Sequence, residues 1–181
     1  ADTTRALTPL TTWASGDPAN LWAWLANYEA TTGGKVLAIP HNGNLSNGRM
    51  FEEQQYDGKP LTREWVEARA RFEPVYEMFQ FKGSGEAHPR LSPNDEFANF
   101  EVWDTGNLTG ITKQPRMFKT EYWREALKSG LRLHGTFGTN PFKYGAAAGT
   151  DTHTGLTAAD ENNFWGKLRS SEPSPGRWDH L

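Results

Sequence analysis

The sequence predicts an α/β fold with a mainly parallel sheet. Segments with helical periodicity alternate with short apolar runs of strand length, and polar side chains collect where those runs end. The chain has 181 residues, 36% of them hydrophobic, which predicts one domain over residues 1–181. A net charge of −3 gives no reason to expect a nucleic acid partner, and no apolar stretch is long enough to suggest a membrane partner. The absence of cysteine excludes disulfides and thiolate metal ligands.

The first predicted helix lies within residues 15–34 and has signals at both ends. Asp17 suits the N-cap, Pro18 suits the first helical position, and Gly33-Gly34 ends the pattern. The apolar run "KVLAIPH", residues 35–41, follows at once and predicts a strand that is covered on both faces.

A second helix is predicted at 61–72, followed by a strand at 75–83. The stretch 92–100 predicts a short capped helix, and residues 115–130 a third substantial helix that stops at Gly130. Two further strands are predicted at 131–138 and 143–151, and long connections at 40–60 and 83–116. The eight tryptophans are interpreted as core residues in preference to a carbohydrate-binding face.

Three predicted strands end in imidazole or carboxylate side chains. His41 follows the first run, Glu86 and His88 follow the second, and Asp151 and His153 follow the last. Ligands of parallel α/β folds bind outside the carboxyl ends of the strands. These residue types at one sheet edge therefore predict a site for zinc, manganese or iron.

Each of these residues also has a structural interpretation. The Asp151-Thr152-His153 sequence suits a turn with a side-chain cap, and His41 suits the end of a strand. Glu86 and His88 lie in a glycine-rich loop where solvent could surround them. No Gly-x-Ser-x-Gly nucleophile elbow or phosphate-binding glycine pattern is present, so neither a serine nucleophile nor a nucleotide cofactor is expected.

Four blocks of the chain resemble one protein family. They are "AIPHNGNLSNGRMF", "KGSGEAHPRLSPNDEFANFE", "NPFKYGAAAGTDTHTGL" and "NNFWGKLRSSEPSPGRW". They are similar to a large bacterial branch of the PHP (polymerase and histidinol phosphatase) superfamily that is known as domain-of-unknown-function family 3604. The resemblance spans residues 1–178. It implies a distorted (β/α)7 barrel and a metal-dependent hydrolase, in most members a phosphoesterase with two or three metal ions.

The resemblance also implies roles for individual residues. His41, Asp151 and His153 match metal ligands of the superfamily, and Asp151 with His153 match its closing Asp-x-His pair. Glu86 and His88 belong to the branch's "GEAHP" block and are assigned to substrate binding or general acid catalysis.

The chain departs from the superfamily pattern at its start. The early His-x-His pair and the ligands that follow it have no counterpart here. We therefore expect the C-terminal portion of a longer (β/α)7 catalytic domain, completed by a missing N-terminal half or a partner chain. The resemblance favours a periplasmic or secreted location and leaves the cytoplasm open.

The function expected of the complete enzyme is hydrolysis of a small anionic ester, first of all a phosphoester, by metal-bound hydroxide. Asn42, Asn44, Arg49 and Lys82 follow or flank the strand ends and are candidates for contacts to the substrate's anionic group, with plain turn chemistry or solvation as the alternative. A metal-dependent amidohydrolase and a non-catalytic carbohydrate-binding or interaction module are the other two hypotheses.

Overall fold

The computed structural model describes residues 7–107 and 110–153. The helices are α1 (Pro18–Thr32), α2 (Arg63–Phe72) and α3 (Trp123–Phe137), with short 3-10 helices at Gly43–Leu45 and Pro115–Thr120. The strands are β1 (Val75–Gln80), β2 (Gly83–Ser84) and β3 (Gly145–Ala148). Among the described residues, no helix combines the length and the apolar composition that crossing a membrane requires.

The sheet is mixed and has β1 at its centre, in the order β2-β1-β3. β3 runs parallel to β1, with Val75 opposite Gly145, and the chain reaches β3 through α3. β2 is antiparallel and pairs Phe79 with Ser84. A tight turn makes this pairing possible, because Gly83 adopts a φ of 101° that other residues avoid.

The prediction that this chain forms a portion of a (β/α)7 barrel is wrong. The described residues form a three-stranded open sheet with three α-helices, and no closed barrel is present among them. Local pairing explains the difference, because β2 turns straight back onto β1 as an antiparallel strand. Residues 131–137 of a predicted strand, 131–138, are also part of α3.

Helix α1 begins and ends where its local signals predict. The Asp17 side chain accepts a hydrogen bond from the Ala19 backbone N–H, and Gly33 ends the helix in the left-handed conformation with a φ of 72°. Helix α2, strand β1 and strand β3 also lie within their predicted segments.

Residues 35–41 are extended but are not assigned to a strand. Two backbone hydrogen bonds hold them, one from Ala38 N to Phe72 O at the end of α2 and one from Glu77 N in β1 to Pro40 O. Leu37 and Ile39 are 51% and 47% exposed, so this segment is not covered on both faces as predicted.

Gly130 does not stop the third helix. Helix α3 continues through it to Phe137 and ends at Gly138, which has a φ of 77°. Gly130 is needed for close packing, because a β-carbon there would lie 2.1 Å from Asn140 Oδ1. Residues 131–137 of the predicted strand are therefore helical, and the predicted helix 92–100 consists mainly of turns.

Two apolar clusters form the core. One joins the sheet to α3, and its buried members are Phe51, Tyr76, Ala126, Leu133, Phe142 and Tyr144. The other joins α1 to α2, and its buried members are Trp22, Leu25, Trp65, Val66 and Phe72. Two tryptophans are thus core residues as interpreted, while Trp13 and Trp103 are exposed.

Candidate functional site

His41 lies beside the middle of β1. Its Nδ1 is hydrogen-bonded to Oε2 of Glu77. A carboxylate only accepts hydrogen bonds, so Nδ1 carries the proton and Nε2 is directed away from the pair. The His41 side chain is half-exposed, whereas Glu77 is largely buried.

Asp151 lies beyond the end of β3, in a group that we call the strand-end cluster: Gln80, Lys82, Asp151 and His153. Lys82 Nζ donates to Asp151 Oδ2 at 2.6 Å, and Gln80 Nε2 donates to the same oxygen at 3.0 Å. The other oxygen, Oδ1, lies 3.4 Å from His153 Nε2. The sequence predicted Lys82, Asp151 and His153 as site residues, but it did not predict Gln80.

The structure does not bring His41 to the strand-end cluster. The His41 segment bonds to one edge of β1 and β3 pairs with the other edge. The partner of His41 is Glu77, and the partners of Asp151 lie three to five residues further along, at Gln80 and Lys82. At about 3.3 Å per residue, the step from Glu77 to Gln80 separates the two groups by on the order of 10 Å along the strand, and Lys82 lies in the turn that follows.

His88 is buried and both of its ring nitrogens are hydrogen-bonded. Nδ1 accepts from the Arg90 backbone N–H at 3.1 Å, so Nε2 carries the proton and donates to Asp104 Oδ2 at 3.0 Å. The ring packs between Phe118 and Tyr122, with centroid distances of 4.4 and 5.2 Å. These contacts attach the loop that carries His88 to the 3-10 helix Pro115–Thr120. No pattern in the sequence identified Asp104 as the partner of His88.

Glu86 is bound to an arginine of α3. Arg124 Nη2 donates to Glu86 Oε1 at 2.7 Å, and Arg124 Nη1 donates to Asp95. The hydrogen bonds that Arg124 donates to Glu86 and Asp95 raise the pKa of Arg124, and hydrogen bonds from the Phe97 backbone N–H and from Arg124 lower the pKa of Asp95. Arg124 also borders an open 730 Å³ depression that residues 91–97 line.

The three remaining predicted substrate residues occupy different environments. Asn44 is buried and its Nδ2 donates to Lys82 O at 2.9 Å, which gives it a structural partner. Asn42 is half-buried, and its carbonyl accepts from Leu45 N in the 3-10 turn. Arg49 is exposed and lies over the Tyr56 ring, 4.7 Å from its centroid.

A family model described as "Protein of unknown function (DUF3604)" matches residues 1–180. The chain belongs to the DUF3604 family. No curated protein and no solved structure matches it.

Of the three predicted metal ligands of this DUF3604 chain, Asp151 and His153 lie close together and His41 lies apart. Two ligands bound tetrahedrally about 2.1 Å from one ion lie about 3.4 Å apart. Asp151 Oδ1 and His153 Nε2 have that separation. Within residues 7–107 and 110–153, no group of three or more histidine or carboxylate side chains is arranged to hold a metal ion.

Two buried ion pairs of the DUF3604 chain were not predicted from the sequence. Arg69 and Glu73 are four residues apart on α2, a spacing that could have identified them. Lys113 and Glu121 also form a buried pair, but one partner lies in an irregular loop, so no periodicity indicates it.

Proposed function

We propose that this chain supplies part of the active site of a metal-dependent hydrolase that acts on small anionic esters, first of all phosphoesters. The supporting observation is the spacing of Asp151 Oδ1 and His153 Nε2, which suits two ligands of one divalent ion. The proposed relationship to the PHP superfamily rests on the same Asp-x-His pair and on the sequence blocks around it.

A bound zinc, manganese or iron ion would supply Lewis acidity and a lowered pKa for coordinated water. The chain's own residues contribute orientation and charge. Lys82 and Gln80 both hold Asp151 Oδ2, which fixes the carboxylate and directs Oδ1 towards His153. The Lys82 ammonium also brings a positive charge to the cluster, which favours an anionic substrate group.

Further ligands would have to come from residues outside the described ranges or from a partner chain. His41 remains a proposed ligand only if chain segments between it and Asp151 shift or if it serves a second ion. The roles assigned to Glu86 and His88 stay predictions, and both side chains now have protein partners that a substrate would have to replace.

The first test is a zinc and manganese titration of the metal-free chain, followed by elemental mass spectrometry. We expect about one equivalent to bind, and Asp151→Ala and His153→Ala to weaken binding at least about tenfold because each removes one ligand. His134→Ala is the matched control, since His134 is an exposed histidine on α3. Equal binding by His153→Ala and His134→Ala would exclude the strand-end cluster as the metal site.

A second measurement separates the reaction classes. The chain, alone and joined to the remainder of a DUF3604 domain, is given matched phenyl phosphate and anilide substrates. Phosphate release that requires the added metal supports the phosphoesterase, whereas aniline release supports the amidohydrolase alternative. No turnover of either by the metal-loaded complete domain would refute the hydrolase proposal.

A further inference from the structure

A cavity of 530 Å³ lies between α1, α2 and the loop that follows residue 45. Its wall combines an apolar side with several polar groups, and its volume is in the range of small-molecule sites. The residues that matter for its chemistry are Leu21, Ile39, His41, Arg49, Trp65 and Arg69. It lies on the His41 side of the molecule and does not include the strand-end cluster.

Arg69 supplies one hydrogen-bond donor to this cavity. Its residue is only 5% exposed, its Nε bonds to Glu73 and Tyr144, and its Nη2 donates to Met50 O at 2.7 Å. Among the described residues, Nη1 has no hydrogen-bond partner. Nη1 is not one of the fully buried polar atoms that lack a partner, so it keeps accessible surface on the cavity wall, where it can donate to an acceptor on a ligand.

Arg49 supplies a second, exposed donor. Its guanidinium lies over the Tyr56 ring, 4.7 Å from the centroid, and its nearest carboxylate, on Glu52, is 4.0 Å away. A contact of that length is a weak ion pair at the surface. The Arg49 guanidinium can therefore donate two hydrogen bonds to a carboxylate or phosphate that enters the cavity.

Each carboxylate on the wall lies beside one of these two arginines. Glu73 accepts hydrogen bonds from Trp22 Nε1, Arg69 and Tyr144. Glu52 is the remaining acid on the described wall, and it lies beside Arg49. Leu21, Ile39 and Trp65 offer apolar surface for the body of a ligand.

We propose that this cavity is a binding site for a small amphipathic oxyanion. Its carboxylate or phosphate group bonds to Arg49 and to Nη1 of Arg69, and its ring or aliphatic body packs against Leu21, Ile39 and Trp65. The site does not depend on the metal proposed at Asp151 and His153, so it can be tested in the presence of a chelator.

The test is a titration of the ¹⁵N-labelled chain, in EDTA, with benzoate, phenyl phosphate and the neutral analogue benzamide. The readout is the indole N–H resonance of Trp65 on the cavity wall, assigned with Trp65→Phe. We expect saturable shifts at millimolar concentration or below for the two anions, and binding at least about tenfold weaker for benzamide. The anion that binds more tightly identifies the class as carboxylate or phosphate.

Variants test the two donors. Arg49→Gln should weaken anion binding about tenfold or more, because it removes a charge-assisted hydrogen bond. Arg90→Gln is the matched control, since Arg90 is also exposed and lies over a ring, that of Phe118, at 5.2 Å. Arg69→Lys keeps the charge beside Glu73 but removes Nη1, and it should also weaken binding if circular dichroism shows the fold intact.

Three results would overturn the proposal. They are no shift of the Trp65 resonance with either anion, equal binding of benzamide, or unchanged anion affinity in Arg49→Gln. None of these results bears on the metal proposal, which the zinc and manganese titration tests separately.

Discussion

Two lysine–carboxylate pairs have almost the same length and opposite surroundings. Lys113 Nζ lies 2.7 Å from Glu121 Oε2, and Lys82 Nζ lies 2.6 Å from Asp151 Oδ2. The side chains of the first pair are 2% and 0% exposed, and those of the second are 11% and 22% exposed. Distance alone therefore does not distinguish a pair that supports the fold from one that belongs to a candidate site.

The buried pair holds several loop segments together. Glu121 Oε1 accepts from Gly48 N at 2.9 Å, and Lys113 also donates to the Asn44 carbonyl. The Lys113 ammonium lies 5.5 Å from the centroid of the Phe118 ring. These contacts join residues 44–48 to residues 113–121, and they keep both charges away from water.

The strand-end pair is less enclosed and has a histidine beside it. Asp151 shares its carboxylate between Lys82, Gln80 and the exposed His153. Because water reaches this pair, the loss of one charged partner should lower the free energy of unfolding less than it does in the buried pair. A change of partner at this cluster is therefore expected to leave the fold intact.

The largest expected effect is on the buried pair. Glu121→Gln leaves the Lys113 ammonium buried without a counter-charge, so we expect a loss of about 3–5 kcal/mol in the free energy of unfolding, measured by urea denaturation. Glu125→Gln is the control: it alters a surface pair with Lys128 and should cost no more than about 0.5 kcal/mol. Equal losses in the two variants would contradict a structural role for the buried pair.

The pH dependence of stability should show the burial of Glu121 directly. Burial raises the pKa of Glu121 above its ordinary value of 4.5, and the Lys113 hydrogen bond only partly opposes this. Between the unfolded and folded pKa values the folded chain binds more protons, so Glu121 stabilises the fold at low pH. This contribution is lost as the pH rises from 4.5 through the folded pKa.

The slope from one such group is at most about 1.4 kcal/mol per pH unit. We expect urea unfolding between pH 4.5 and 7 to show this loss in the wild-type chain and not in Glu121→Leu/Lys113→Met, which lacks both charges. The same slope in the double variant would assign the pH dependence to other groups.

Local signals predicted the parts of the fold that local interactions determine. Asp17 and Gly33 mark the ends of α1 because a cap depends on only a few neighbouring residues. Gly130 gave the wrong helix end, since the reason for a glycine there is the approach of Asn140 from the next loop. The sequence around Gly130 does not contain that information.

The sequence predicted His41 and Asp151 at strand ends that meet in one site, but residues 35–41 are not assigned to a strand and the two side chains lie in separate groups. The contacts that pair His41 with Glu77 and Asp151 with Lys82 join distant residues, which local sequence patterns do not specify. Lys82 was predicted as a substrate contact, and the structure places it on Asp151, the predicted metal ligand.

The smallest expected effect is at the strand-end pair, and it gives the sharpest comparison. Lys82→Met should lower the free energy of unfolding by about 1 kcal/mol, because Asp151 keeps Gln80 as a donor and is partly exposed to water. The same substitution at the buried pair, Lys113→Met, should cost several times as much, since Glu121 loses its counter-charge in a dry environment. Urea unfolding of both variants at pH 7 measures the ratio. Equal costs would show that burial does not separate the two pairs, and the strand-end cluster would then be as much a part of the folded framework as Lys113 and Glu121.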